Sequence, residues 1–132
     1  MGTRSFVGVM QGLQCRAVYV HFDGYLEGVG RDLQYYTLQS DVELLISDGD
    51  RSSLDDGFYK DRGEQGVDPH DYDTFEEFFK TCKDSWCEWY YIFKDGVWYC
   101  GNTYKGSKLY KTLTAYAEAV TIYKRECQEE DL

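Results

Sequence analysis

The pattern of apolar and polar positions at the start of the chain predicts a β-hairpin. Residues 6–10 and 13–22 are rich in Val, Tyr and Phe, and Gln11-Gly12 forms a tight polar link between them. Alternate positions of the second run form two faces, and both faces are apolar. One face carries Cys15, Ala17, Tyr19 and His21, and the other carries Val18, Val20 and Phe22. We therefore expect both sides of this hairpin to be covered, within the fold or by a second copy of the chain.

A second hairpin is predicted near the other end of the sequence. Residues 88–93 and 97–104 flank Asp95-Gly96, a dipeptide that favours a two-residue hairpin turn. Eight aromatic residues lie between Trp86 and Tyr104, which is more than one covered face of a hairpin requires. We expect core packing to use about half of these rings, because aromatic side chains supply large buried areas.

Four segments carry helical patterns, the first of them over residues 28–36. Ser40 has the residue type of an N-cap, and the helix that follows it is expected to end at Gly49. The residues from Thr74 to Glu77 spell a capping box, which predicts a helix through about residue 83. Apolar residues recur three and four positions apart over residues 113–127, which indicates a C-terminal helix.

These elements predict one α+β domain over residues 1–132. The predicted core is an antiparallel sheet built from the two hairpins, packed with three or four helices that include the C-terminal helix. Residues 48–73 are rich in Asp and Gly and are interpreted as an acidic surface loop. A calcium loop starting at Asp48 is excluded, because Ser53 and Tyr59 stand where Gly and the final bidentate acid are needed.

Composition narrows the function classes. The formal net charge is −10 at pH 7, which opposes direct binding of nucleic acid and favours basic protein partners. The five Cys form no close pair with the spacing of a zinc site, so we expect no metal, no cofactor and a reducing compartment. No apolar run is long enough to cross a bilayer.

The candidate chemistry begins with His21, Asp23 and Tyr25, which lie within five residues at the end of a predicted strand. Such a cluster can bind a small polar ligand or stabilise a turn at Gly24. A carboxylate two residues from an imidazole also permits an acid-base pair, so a small hydrolase that uses His21 and Asp23 is one alternative.

The second group of candidates belongs to a nucleotide site. The aromatic hairpin, with Trp98 as its test residue, offers flat rings on which a purine can stack, and Asn102 is placed to contact a base edge or a ribose. Arg4, Arg16 and Arg31 lie near the first hairpin and the helix after it, and guanidinium groups bind phosphate in two-pronged contacts. The commoner alternative for each Arg is a solvated surface residue.

The stretch from Thr3 to Ser5, the sequence from His21 to Tyr25, and Gly28-Val29-Gly30 resemble a widespread set of small phage and prophage proteins. Members of that set usually carry Trp where this chain has Phe22. The layout also resembles the Thoeris anti-defence proteins, which are oligomers that sequester a cyclic ADP-ribose signal through aromatic and Arg residues. These resemblances imply a counter-defence protein of the host bacterial cytoplasm that acts as a homo-oligomer.

The resulting first hypothesis is a non-catalytic protein that binds and sequesters a cyclic nucleotide or a cyclic ADP-ribose-type signal. The surplus of aromatic residues favours it. The alternative is an acidic inhibitor that imitates nucleic acid and binds a host defence protein such as a CRISPR nuclease, which the net charge favours.

Overall fold

The computed structural model describes residues 3–50, 68–106 and 109–111, and within them six strands form one sheet. The order across the sheet is β3-β2-β1-β4-β5-β6. The strands are β1 (Ser5–Gln11), β2 (Gln14–Val20), β3 (His70–Tyr72), β4 (Trp89–Lys94), β5 (Val97–Asn102) and β6 (Tyr110–Lys111). The longer helices are α1 (Gln39–Ser47) and α2 (Phe75–Asp84), and the short helical turns are Leu26–Gly30, Leu33–Tyr35 and Thr103–Lys105.

The α+β class is confirmed, but the expectation of an antiparallel sheet is wrong at one pair of strands. β1 runs parallel to β4, with Ser5 opposite Trp89 and Val9 opposite Phe93, so the sheet is mixed. A parallel pair needs a long connection that crosses a face of the sheet. Here α2 lies across one face and precedes β4, which brings the second hairpin alongside the first in parallel.

Both predicted hairpins are present. Asp95 and Gly96 have φ values of 52° and 80°, as a two-residue turn with left-handed central positions requires. In the first hairpin Gln11 pairs with Gln14, so the turn residues are Gly12 and Leu13, one position later than predicted. Gly12 has a φ of 67° and supplies the backbone freedom for this turn.

The helices follow the sequence pattern in their apolar faces more closely than in their ends. α1 begins at Gln39 with Leu38 as its N-cap, so Ser40 lies inside the helix and is not the cap. Its stripe of Val42, Leu45 and Ile46 is buried, and Gly49 follows its end with a φ of 87°.

The short helix expected over residues 28–36 is instead a π-helical turn, Leu26–Gly30, followed by a 3-10 turn, Leu33–Tyr35. α2 has the predicted capping box: Thr74 accepts a hydrogen bond from the Glu77 amide at 3.2 Å, and Glu77 accepts one from the Asp73 amide at 3.1 Å.

Part of the predicted acidic loop is a strand. His70–Tyr72 lies inside the segment expected to be a loop, yet it pairs with β2 as β3. Residues 51–67 of that segment, and the helix expected over residues 113–127, lie outside the described residues. No helix among the described residues has the length and apolar character needed to cross a membrane.

Both faces of the sheet are covered within the chain, as the apolar pattern of the first hairpin predicts. The first face carries Val7, Val18 and Tyr91 and packs against α1 and the turns before it. The second face carries Phe6, Ala17, Tyr90 and Ile92 and packs against Phe78 and Cys82 of α2. Because elements of the same chain cover both faces of this hairpin, the hairpin does not need a second copy to bury it. The homo-oligomer stays a prediction.

Candidate functional site

The sequence from His21 to Tyr25 forms a tightly packed turn at the end of β2. The Gly24 amide donates to the Thr3 carbonyl at 2.8 Å, and the Gly24 carbonyl accepts a hydrogen bond from the buried Tyr91 hydroxyl at 2.6 Å. A Cβ at Gly24 would lie 2.7 Å from the Cβ of Ser5, so only glycine fits. These contacts tie the turn to β1 and β4, and they account for Gly24 as a structural residue.

The three candidate side chains of this turn do not form the acid-base pair. The Tyr19 hydroxyl lies 2.7 Å from Nδ1 of His21, and the Tyr25 hydroxyl donates to Asp23 at 3.3 Å. His21 and Asp23 are therefore each engaged by a tyrosine rather than by one another. Asp23 also has a φ of 60°, which places its backbone in the left-handed region that the turn requires.

Trp98 and Asn102 have structural partners in β5. Trp98 is 5% exposed, packs edge-on against Phe93, and donates from Nε1 to the Tyr36 carbonyl at 2.8 Å. Asn102 accepts a hydrogen bond from the Tyr104 amide at 2.9 Å and caps the 3-10 turn Thr103–Lys105. The ring of Trp98 is thus a core ring and offers no open face for purine stacking.

Four of the eight aromatic residues of this region are buried, in agreement with the expected half. They are Tyr90, Tyr91, Phe93 and Trp98. Trp86 and Tyr104 are the most exposed of the eight, at 82% and 80%.

The expected phosphate ligands Arg16 and Arg31 lie on or beside the first face of the sheet. Arg16 pairs with Val9 in the β1–β2 ladder and lies 3.9 Å from the exposed carboxylate of Asp71. Arg31 is exposed and its Nε lies 3.5 Å from Asp32, just after the π-helical turn that covers the same face. Arg16 and Arg31 contact Asp71 and Asp32, whereas Trp98 and Asn102 contact Tyr36 and Tyr104.

A groove lies on the second face of the sheet, the face that α2 covers. This groove, of about 450 Å³, opens between the β2–β3 edge and α2, within the size range of small-ligand sites. We call it the Asp50 groove. It is lined by Phe6, Tyr19, Asp50, His70, Tyr72, Thr81 and Ser85.

Asp50 is fixed at one end of the groove by the backbone of β2. β3 pairs with β2 only from Cys15 to Ala17, so the outward amide of Tyr19 has no strand beside it. Oδ1 of Asp50 accepts that amide's hydrogen at 2.9 Å. Within the described residues, Oδ2 of Asp50 has no hydrogen-bond partner.

The electrostatics of Asp50 are those of a half-buried carboxylate. Burial raises its pKa, and the amide of Tyr19 and the positive charge of His70 partly oppose that rise. His70 is exposed and lines the same groove.

The opposite end of the groove is set by the phenol of Tyr19. Burial raises the pKa of this hydroxyl; the positive charge of Arg4 opposes the rise, and Cys87 and Asp50 add to it. His21 contacts the same hydroxyl. The backbone amide of Tyr19 therefore contacts the carboxylate of Asp50, and its hydroxyl contacts His21 and is influenced by Arg4.

The walls of the groove are aromatic and rigidly packed. Phe6 stands edge-on to both Tyr19 and Phe78, with ring centroids 5.6 Å and 5.9 Å apart. Tyr72 stands edge-on to Phe78 at 5.5 Å. Burial raises the pKa of Tyr72, and its hydrogen bond with Thr81 partly opposes the rise, so its hydroxyl is held neutral.

The cysteines beneath this groove are packing residues. Cys15, Cys82 and Cys87 are buried on this face and form no disulfide among the described residues. Burial raises the pKa of Cys15 and of Cys87 to about 12, which keeps both thiols protonated and unreactive.

Sequence reasoning reached His21 and Arg4 but missed Asp50, His70 and Tyr72. Asp50 stands in an acidic run with nothing local to distinguish it, and it gains its position only by bonding to Tyr19, 31 residues away. The apolar-polar alternation of His70-Asp71-Tyr72 beside β2 was the available signal, although three residues are too few to predict a strand.

Comparisons with protein-family models, with curated proteins and with solved structures found no match to this chain.

Proposed function

We propose that the protein captures a nucleotide without transforming it, with the base in the Asp50 groove and the phosphate at the end occupied by Arg4 and His21. The observation that carries this proposal is the placement of a carboxylate, Asp50, at the backbone amide of Tyr19 and of Arg4 and His21 near its hydroxyl. A nucleotide has the same division, because its base edge carries hydrogen-bond donors and its phosphate carries negative charge. The half-buried rings of Tyr19 and Tyr72 suit a flat base, whereas the ring of Phe6 is buried.

The same arrangement supports sequestration over catalysis. The pair of groups proposed for a hydrolase, His21 and Asp23, is engaged by Tyr19 and Tyr25. In the biological setting implied by the resemblance to phage proteins, capture of a nucleotide signal would silence a host defence pathway.

Isothermal calorimetry on the full chain tests the proposal, with nucleoside monophosphates, cyclic oligonucleotides and cyclic ADP-ribose isomers as ligands. Arg4→Ala should weaken binding at least tenfold, about 1.4 kcal/mol, because a phosphate would lose its guanidinium partner. Arg31→Ala is the matched control, since it removes the same group from the side of the sheet away from the groove, and it should leave the affinity unchanged.

Equal losses in the two Arg variants would place the phosphate elsewhere and contradict the proposal. Chromatography of the ligand after incubation separates capture from hydrolysis: recovery of intact nucleotide is expected, and a hydrolysed product would favour the hydrolase instead.

A second candidate function, the acidic inhibitor, is favoured by one stretch of surface. Five carboxylates within ten residues are exposed: Asp68, Asp71, Asp73, Glu76 and Glu77. If they imitate nucleic acid, binding to a basic defence protein must weaken as salt rises, because exposed charges are screened. The variant Asp71→Asn/Glu76→Gln should then inhibit less, whereas Asp95→Asn in the distant hairpin turn should not.

A further inference from the structure

We infer that the Asp50 groove selects guanine among the nucleobases, through the carboxylate of Asp50. The inference rests on the proposed function and adds the identity of the base. An ionised carboxylate accepts hydrogen bonds and donates none, so a ligand in contact with it must supply the donors.

The acceptor sites of Asp50 define how many donors are needed. Oδ1 already accepts the Tyr19 amide at 2.9 Å and has one further lone pair, while Oδ2 has no partner within the described residues. The carboxylate therefore offers two parallel acceptor positions to the groove. Two adjacent N–H groups fill them in the bidentate geometry that makes carboxylate contacts strong.

Guanine is the base whose pairing edge carries this pattern. Its N1–H and its exocyclic amino group lie side by side and both donate. Adenine places an acceptor, N1, beside its single amino group, so one oxygen of Asp50 would face a lone pair. Hypoxanthine keeps N1–H but lacks the amino group, and it therefore supplies only one of the two donors.

Partial burial of Asp50 makes the mismatch costly. An acceptor that is withdrawn from water and left without a donor loses its solvation and gains nothing in return. A site built to bond a donor group rejects the ligand that lacks it more strongly than a purely apolar pocket does. The half-buried rings of Tyr19 and Tyr72 stabilise any base alike and do not discriminate, and Asp50 is the carboxylate that lines the groove.

A plain organic cation is the rival ligand for aromatic rings beside a carboxylate. The other end of the groove argues against it, because Arg4 would repel a positive group that extends along Tyr19. A molecule with donors at one end and an anion at the other fits both ends.

Calorimetry with GMP, IMP and AMP on the unmodified chain at pH 8 tests the inference without any variant. GMP should bind at least tenfold more tightly than AMP, and IMP should fall between them. Asp50→Asn should abolish the preference for GMP, because its amide offers one donor and one acceptor. Asp71→Asn, which removes a neighbouring carboxylate on the other side of β3, should keep it.

The outcomes separate the inference from the proposed function. Equal affinity for GMP and AMP overturns guanine selection and leaves nucleotide capture standing. Failure of all three nucleotides to bind overturns guanine selection, and failure of the cyclic oligonucleotides and cyclic ADP-ribose isomers as well overturns nucleotide capture. Binding of choline in place of any nucleotide also overturns both and assigns the groove to organic cations.

Discussion

At the scale of single residues, the turn at the end of β2 shows how closely the chain is packed against itself. The Tyr91 hydroxyl is buried and donates to the carbonyl of Gly24, 67 residues earlier in the sequence. A Cβ on Gly28 would also collide with the backbone carbonyl of Asp23. A side chain at Gly24 or Gly28 would therefore collide with neighbouring segments of the chain, and the hydrogen bond from Tyr91 holds the turn against β4.

Gly24→Ala should destabilise the protein by about 1–3 kcal/mol, the usual cost of overpacking a filled site. The new methyl group would meet Ser5 Cβ at 2.7 Å and the Thr3 carbonyl at 2.8 Å. Chemical denaturation monitored by tryptophan fluorescence measures the loss.

Combining Gly24→Ala with Ser5→Gly should recover part of that stability, since it removes the side chain in the way but not the Thr3 carbonyl. Ser5→Gly alone is the control for the double variant. Strict additivity of the two single effects would show that the methyl group is accommodated elsewhere.

At the scale of elements, α2 is held by its first turn and forms one wall of the Asp50 groove. Thr74 accepts the Glu77 amide there and the Glu77 carboxylate accepts the Asp73 amide, while Phe78 and Cys82 are buried against the sheet. Thr81 and Ser85, which line the groove, follow on the same helix and just beyond its end. The cap therefore stabilises the element that positions that wall.

Thr74→Ala should lower the free energy of unfolding by about 1 kcal/mol, because the Glu77 amide would lose its acceptor. Thr74→Ser keeps the hydroxyl and should cost far less. Thermal melts of the three proteins in parallel measure the difference, and an equal loss in the two variants would mean that the methyl group of Thr74, and not its hydroxyl, stabilises the helix.

The elements also show what a sequence pattern can predict. Asp95-Gly96 and the Thr74 capping box are local signals, read within four residues, and the structure bears both out. β3 and the pairing of β1 with β4 depend on which segments meet across the sheet, and no local period records that. The groove is missed for the same reason, because Asp50, Tyr19 and Tyr72 come from three separate segments.

At the scale of the whole molecule, the net charge of −10 makes stability depend on pH, and Asp50 contributes in an unusual direction. Burial raises its pKa in the folded chain above the unfolded value. The folded state thus holds a proton that the unfolded state has already lost, in the window from about pH 4 up to the raised pKa. Stability from this group is present below that window and is lost as the pH rises through it.

Asp50→Asn should remove this contribution while keeping an oxygen for the Tyr19 amide. The free energy of unfolding of the variant, minus that of the unmodified chain, should therefore increase as the pH rises through the window. Urea denaturation at several pH values between 4 and 8 measures it. A difference that stays constant with pH would show that Asp50 is as well solvated in the folded chain as in the unfolded one.

The parallel pairing of β1 with β4 has a consequence for synthesis on the ribosome. Ser5 meets Trp89, 84 residues later, so the β1 edge of the first hairpin stays unpaired after the hairpin leaves the exit tunnel. At about 5–20 residues per second, translation needs about 4–17 s to supply the missing strand. During that delay Val7 and Val9 are exposed beside an open edge, which invites pairing between nascent chains. We therefore expect slower translation between residues 20 and 89 to lower the yield of folded protein.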